Sequence, residues 1–121
     1  MLRIALALFM ALPCLAAPTL RTEPADVLHL SARAEKHVRE GHFPEGSRNR
    51  GKSVFIAGTD LLKLLKAAEG SKPRREKNGR DKRVADAGAV IGSDGRSGRP
   101  VKTYVVISEP DGEVVTMYPG R

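Results

Sequence analysis

Near residue 70 the spacing of the apolar residues changes, and that change limits what the chain can fold into. Before it, apolar residues recur at intervals of three and four, the period of an amphipathic helix. After it, short β-branched runs alternate with turns rich in Gly and Asp, as in an antiparallel meander. Helices first and hairpin-linked strands afterwards give an α+β fold, with N-terminal helices packed on one face of a small C-terminal antiparallel sheet. A chain of 121 residues suits one small domain, and no internal repeat argues otherwise.

Glu23-Pro24 opens a first helix, with Pro24 in its first turn. From there to Glu40, Val27, Leu28, Leu30, Ala34 and Val38 keep helical spacing, and Gly41 is the stop. His37 lies seven residues after Leu30 and so shares its inner face. Residues 42–53 form a polar, Gly-containing loop, and Val54-Phe55-Ile56 is an apolar run too short to type. Thr59 caps a second helix from Asp60 to Glu69, striped with Leu61, Leu62, Leu64, Leu65 and Ala68 and ended by Gly70. Residues 71–83 hold seven basic side chains (Lys72, Arg74, Arg75, Lys77, Arg80, Lys82 and Arg83) and no aliphatic or aromatic one. This predicts a solvated loop or the outer end of a hairpin. Strands are expected over Val84 to Ile91, Val101 to Ser108 and Glu113 to Tyr118. Turns at residues 93–98 and at Glu109-Pro110-Asp111-Gly112 separate them.

The N-terminus has the order of a secretory signal peptide: Arg3, an apolar run from Ile4 to Leu15, then Ala16-Ala17. Cleavage after Ala16 fits the small-residue requirement, which divides the chain into a signal (1–16), a lead-in (17–26) and a domain (27–121). Pro13 before Cys14 argues against lipidation, and the run is short for a membrane span. The expectation is an exported chain, periplasmic or extracellular, with no stable membrane insertion once the signal is removed. That mature chain is a monomer of 105 residues without cysteine, held by its core alone, and 20 basic against 14 acidic side chains leave it at +6. Such a charge selects polyanionic or acidic partners. An aromatic content of 4% argues against a face that stacks many bases.

No metal-ligand spacing, phosphate-cradling glycine loop or nucleophile elbow occurs in the sequence. No cofactor is expected. What the chain offers is His37 and His42, five residues apart, beside a basic loop with Arg48, Arg50 and Lys52, and a last strand carrying Thr116 and Tyr118. This set suits RNA, which brings its own nucleophile, the 2′-hydroxyl. Two imidazoles can act as base and acid, while cations and hydroxyls steady the charge on the phosphate oxygens.

Residues 36–55, which run from a helix-borne His through a His-containing loop to Gly51-Lys52-Ser53 and Phe55, resemble the opening motif of bacterial EndoU-type nuclease domains. Residues 109–119, ending Thr116-Met117-Tyr118-Pro119, are similar to the closing hairpin of the same family. The resemblance spans about residues 27–121 and implies an endoribonuclease of the barnase–EndoU–colicin–RelE type. Many such domains are toxins neutralised by a cognate immunity protein. By match to the motif, His37 is the first catalytic His, and Thr116 and Tyr118 are closing-strand substrate and phosphate contacts. Lys52, with Arg48 and Arg50, would bind the substrate; in the family this lysine has also a structural alternative. Family members commonly carry the second His in a Gly-Gly-Gly-His run, which is absent from residues 44–50. His42 is the candidate replacement, and which proton it handles is left open. A second reading keeps the fold without the chemistry: an exported basic module that binds nucleic acid or an acidic partner.

Overall fold

The structure, a computed structural model, describes residues 23–121. The expected signal, 1–16, and the first part of the lead-in lie outside the described residues. The elements run α1 (Ala32–His42), β1 (Val54–Phe55), α2 (Leu61–Ala68), β2 (Arg74–Arg75), β3 (Asp81–Asp86), β4 (Gly92–Ser93), β5 (Pro100–Val101), β6 (Thr103–Ser108) and β7 (Val114–Pro119). This is an α+β fold with two antiparallel sheets, ordered β2-β3-β6-β7 and β1-β4-β5. None of the described helices is long and apolar enough to cross a membrane.

Strand register assigns each residue of the larger sheet to a face. Asp81, Arg83 and Ala85 on β3 align with Ser108, Val106 and Tyr104 on β6, and these with Val114, Met117 and Pro119 on β7. Against this face pack Val38 of α1, Phe43, Phe55, and Leu61, Leu65 and Ala68 of α2, making one core. The Tyr104 hydroxyl donates to the Leu64 carbonyl, which satisfies the one polar end of a fully buried ring. The opposite face carries Lys82, Val84, Asp86, Thr103, Val105, Ile107, Thr116 and Tyr118.

The first helix is shorter than its sequence suggests. Residues 23–30 form an extended strap instead. The His29 amide donates to Gly112 O (2.8 Å) and the Val114 amide to His29 O (2.9 Å), so His29 pairs with Glu113 in a parallel bridge. The Leu28 amide donates to the Glu69 carboxylate at 2.9 Å. Ala25 and Leu28 are buried and Val27 exposed, so the helical spacing of this segment served a strap and not a helix. The helix begins where Ser31 accepts from the Ala34 amide (3.1 Å) as N-cap. Gly41 does not stop it but lies buried in its last turn, and the helix ends at the extended Phe43, whose ring enters the core.

Four further expectations are corrected. Asp60 rather than Thr59 caps α2, accepting from the Lys63 amide at 3.2 Å, while the Thr59 hydroxyl donates to Ile56 O. The strand expected from Val84 begins at Asp81 and ends at Asp86. Its buried face is polar there: Asp81 takes Arg75 at 2.6 Å, and Arg83 donates to Ala25 O at 2.7 Å. The strand expected over Val101 to Ser108 divides at Lys102, giving its first part to the smaller sheet. On β7 the register skips between Ile107 and Ser108, leaving Val115 as the extra residue of a bulge. Strand alternation opposite Thr116 and Tyr118 predicts Val115 beside Met117 on the core face, and the bulge gives that place to Val114.

Candidate active site

The end of α1 meets the end of β7. His42 closes the helix, and the next residue, Phe43, is anchored in the core, so the imidazole has a fixed root. Its Nδ1 lies 2.8 Å from the Ser53 carbonyl oxygen. A carbonyl only accepts, so Nδ1 carries the hydrogen and the neutral ring presents Nε2 with a free lone pair. The ring sits beside Tyr118, with centroids 5.7 Å apart and planes tilted by 32°.

The loop between α1 and β1 is built to place Ser53 and Lys52. Asn49 donates to Phe43 O (2.7 Å) and Pro44 O (3.1 Å), and the Arg48 amide to Glu40 O (2.9 Å), folding the loop back on the helix end. Gly46 is required there, because a Cβ would collide with the carbonyls of Arg39 and Glu40. The Ser53 hydroxyl accepts from the Gly95 amide at 2.9 Å. A Cβ on Gly95 would lie 2.6 Å from Ser53 N, so only glycine lets that turn approach. The Lys52 side chain lies against the end of α1 at Gly41, where a Cβ would sit 3.5 Å from its ammonium, in ordinary contact.

Burial pulls the His42 imidazole below its ordinary value of 6.5. The hydrogen bond to Ser53 opposes that pull, and the positive charges of Lys52 and His37 add to it. The Tyr118 phenol moves the other way, raised by burial and then by the nearby Glu76 carboxylate. At neutral pH the site therefore pairs a neutral imidazole, free to accept a proton, with a phenol that keeps its own.

The other expected residues are placed differently. His37 is exposed, not on the inner face; α1 buries Ala34, Val38 and Gly41 instead. Five residues of helix separate it from His42 by about 140° of rotation and about 7.5 Å of rise. It lines a second groove of about 370 Å³ with Arg80, Glu109 and the start of β7 at Val114 and Val115. Its charge is felt at His42 without contact between the rings being part of the site. Thr116 shares the face of Tyr118, but its hydroxyl oxygen is shut from solvent and has no partner. Arg48 and Arg50 are exposed on the loop.

The basic run of residues 72–83 is partly neutralised by the fold. Arg75 pairs with Asp81, Arg80 with Glu109 (2.8 Å) and Arg74 with Glu76 (3.4 Å), while Arg83 is buried. Glu76 was not singled out from the sequence. Its signal was the short hairpin around Asn78-Gly79, which turns β2 back onto β3 and brings the carboxylate toward Tyr118. Among the described residues no three His, Cys, Asp or Glu side chains gather into a set that could hold a metal. No protein-family model and no curated protein matches this chain.

Proposed function

We propose that the protein is an exported endoribonuclease that cleaves RNA through its 2′-hydroxyl, leaving 2′,3′-cyclic phosphate ends. The observation that carries this reading is His42, whose Nδ1 is committed to Ser53, whose ring lies beside that of Tyr118 and which feels the Lys52 charge, leaving Nε2 for chemistry. In the proposed step, Nε2 takes the proton of the 2′-hydroxyl as its oxygen bonds to phosphorus. The bond from phosphorus to the 5′-oxygen breaks, and that oxygen takes the proton back from the His42 imidazolium. Tyr118 donates a hydrogen bond to a non-bridging phosphate oxygen, and Lys52 balances the charge that gathers there. Thr116 joins them by turning its orphaned hydroxyl about χ1 toward the same oxygens. His37 lines a separate groove at the start of β7, too far from His42 to act on the same phosphate, and meets the RNA chain beyond the scissile bond. The resemblance to EndoU-type domains supports the same reading and carries with it a monomeric toxin and a cognate immunity protein as partner.

The alternative, a basic module that binds RNA or an acidic protein without cutting, is favoured by one observation: the enclosed Thr116 hydroxyl. Incubating the purified chain from residue 17 onward with total RNA in EDTA separates the two. Cleavage with cyclic phosphate ends, lost in His42→Ala, is the expected result. Intact RNA bound by a folded protein would establish the module.

A further inference from the structure

The polar face of the larger sheet continues well past Tyr118, and its far side is a groove of about 450 Å³. Lys72, Arg74, Lys82 and Arg121 line it, with Asp86 the single carboxylate. Asp86 keeps its charge while accepting from the Gly88 amide at 2.7 Å, so four cations face one acidic side chain, and the pairing of Arg74 with Glu76 is exposed and weak. The groove is therefore strongly cationic. Register ties it to the candidate site: Arg74 aligns with Lys82, Lys82 with Ile107 and Ile107 with Thr116. Three strand spacings, about 14 Å, separate the ends of this row. Beside it runs a second row, Val84, Val105 and Tyr118. Val84 is 42% exposed and Val105 fully buried, so the apolar floor is open at the groove and closed before the ring pair.

We infer that this groove is a backbone-phosphate subsite for single-stranded RNA lying across the strands, with the cut made at the His42 end. The inference rests on the ribonuclease reading and adds the path of the substrate to it. Phosphates away from the scissile bond sit among Lys72, Arg74, Lys82 and Arg121. Bases lie over Val84 and Ile107, which a duplex, with its bases turned inward, does not use. A dinucleotide is too short to reach from Tyr118 to Lys82, so the groove acts only on longer chains.

The test uses a 2′-O-methyl RNA octamer, whose nucleophile is blocked, and the matching dinucleotide. Binding is followed by fluorescence anisotropy over a salt series for the wild type and for Lys72→Gln/Lys82→Gln. Both lysines are surface residues, and circular dichroism checks that the variant folds. The octamer is expected to bind the variant more weakly, with the salt slope reduced by about 1.4 for two lost phosphate contacts. The dinucleotide is expected to bind both proteins alike. With cleavable octamer, KM rises and kcat holds. Unchanged octamer affinity and slope would overturn the subsite, and equally tight binding of a duplex would overturn the single-strand assignment. If octamer binding responds as expected but no RNA is cut, the ribonuclease reading fails and the subsite stands. If RNA is cut with the same KM by both proteins, the subsite fails and the ribonuclease reading stands.

Discussion

A histidine whose Nδ1 already donates to a carbonyl has one nitrogen left for chemistry. For His42 that nitrogen is Nε2, and burial together with two neighbouring cations keeps it unprotonated near neutral pH. His42→Ala should lower kcat by about 10²–10⁴-fold, the usual worth of a positioned base. The far-UV spectrum should be retained, because Phe43 rather than His42 anchors the helix end. The pH dependence has a definite sign. A base must be neutral to act, so kcat/KM should rise with pH through an inflection below 6.5, the ordinary histidine value. Stability follows the same direction. The folded-state value is depressed, so this group's contribution is fully present above 6.5 and is lost as pH falls through the lower folded value. Lys52→Met removes one of the depressing charges and should move the activity inflection upward. An inflection that stays in place would show that the ammonium does not act on the ring. Tyr118→Phe should cost less than His42→Ala, since it deletes one hydroxyl and keeps the ring contact.

At the scale of elements, the site depends on a loop folded tightly against the end of α1. Gly46→Ala would place a methyl group against the Arg39 and Glu40 carbonyls. Overpacking of this kind costs about 1–3 kcal/mol. Thermal unfolding should show that loss, and kcat should fall with it, because Ser53 and Lys52 hang from the same loop. A variant as stable as wild type would mean that the loop adjusts without effort. How far the sequence disclosed these elements varies with the physics of each. The second helix was legible because Leu61, Leu64, Leu65 and Ala68 form one stripe, although Leu62, expected in it, is 65% exposed. The strap was not, because Val27, Leu30 and Ala34 keep helical intervals while His29 pairs with the last hairpin. The start of β3 was hidden because Asp81 and Arg83 are buried charges, Asp81 paired across its own hairpin with Arg75 and Arg83 donating to the distant Ala25 carbonyl. In the site, His42, Lys52 and Tyr118 stood out by residue type and motif. The fixed tautomer and the approach of Glu76 arise from contacts between different segments of the chain.

Across the whole molecule, the strap of residues 23–30 ties together parts that would otherwise be joined only through the core. Its Leu28 amide holds Glu69 just past the end of α2, and His29 pairs with Glu113 at the start of the last hairpin. Ala25 O receives the buried Arg83 guanidinium, whose Nε and Nη1 have no other partner. The strap also leads straight into Ser31, the cap from which α1 grows toward His42. Leu28 fills the core beneath this tie with 6% of its surface exposed. Leu28→Ala should therefore cost at least about 2 kcal/mol, the lower end for a buried leucine. In a domain of this size each kcal/mol moves Tm by about 4–8 °C, so a drop of about 8–16 °C is expected. Because the strap anchors both the hairpin that carries Tyr118 and the helix that carries His42, activity should fade at a temperature below the loss of helical signal. A variant with wild-type Tm would show that the strap rests on the surface, and coincident loss of activity and helix would show that it melts only with the whole domain.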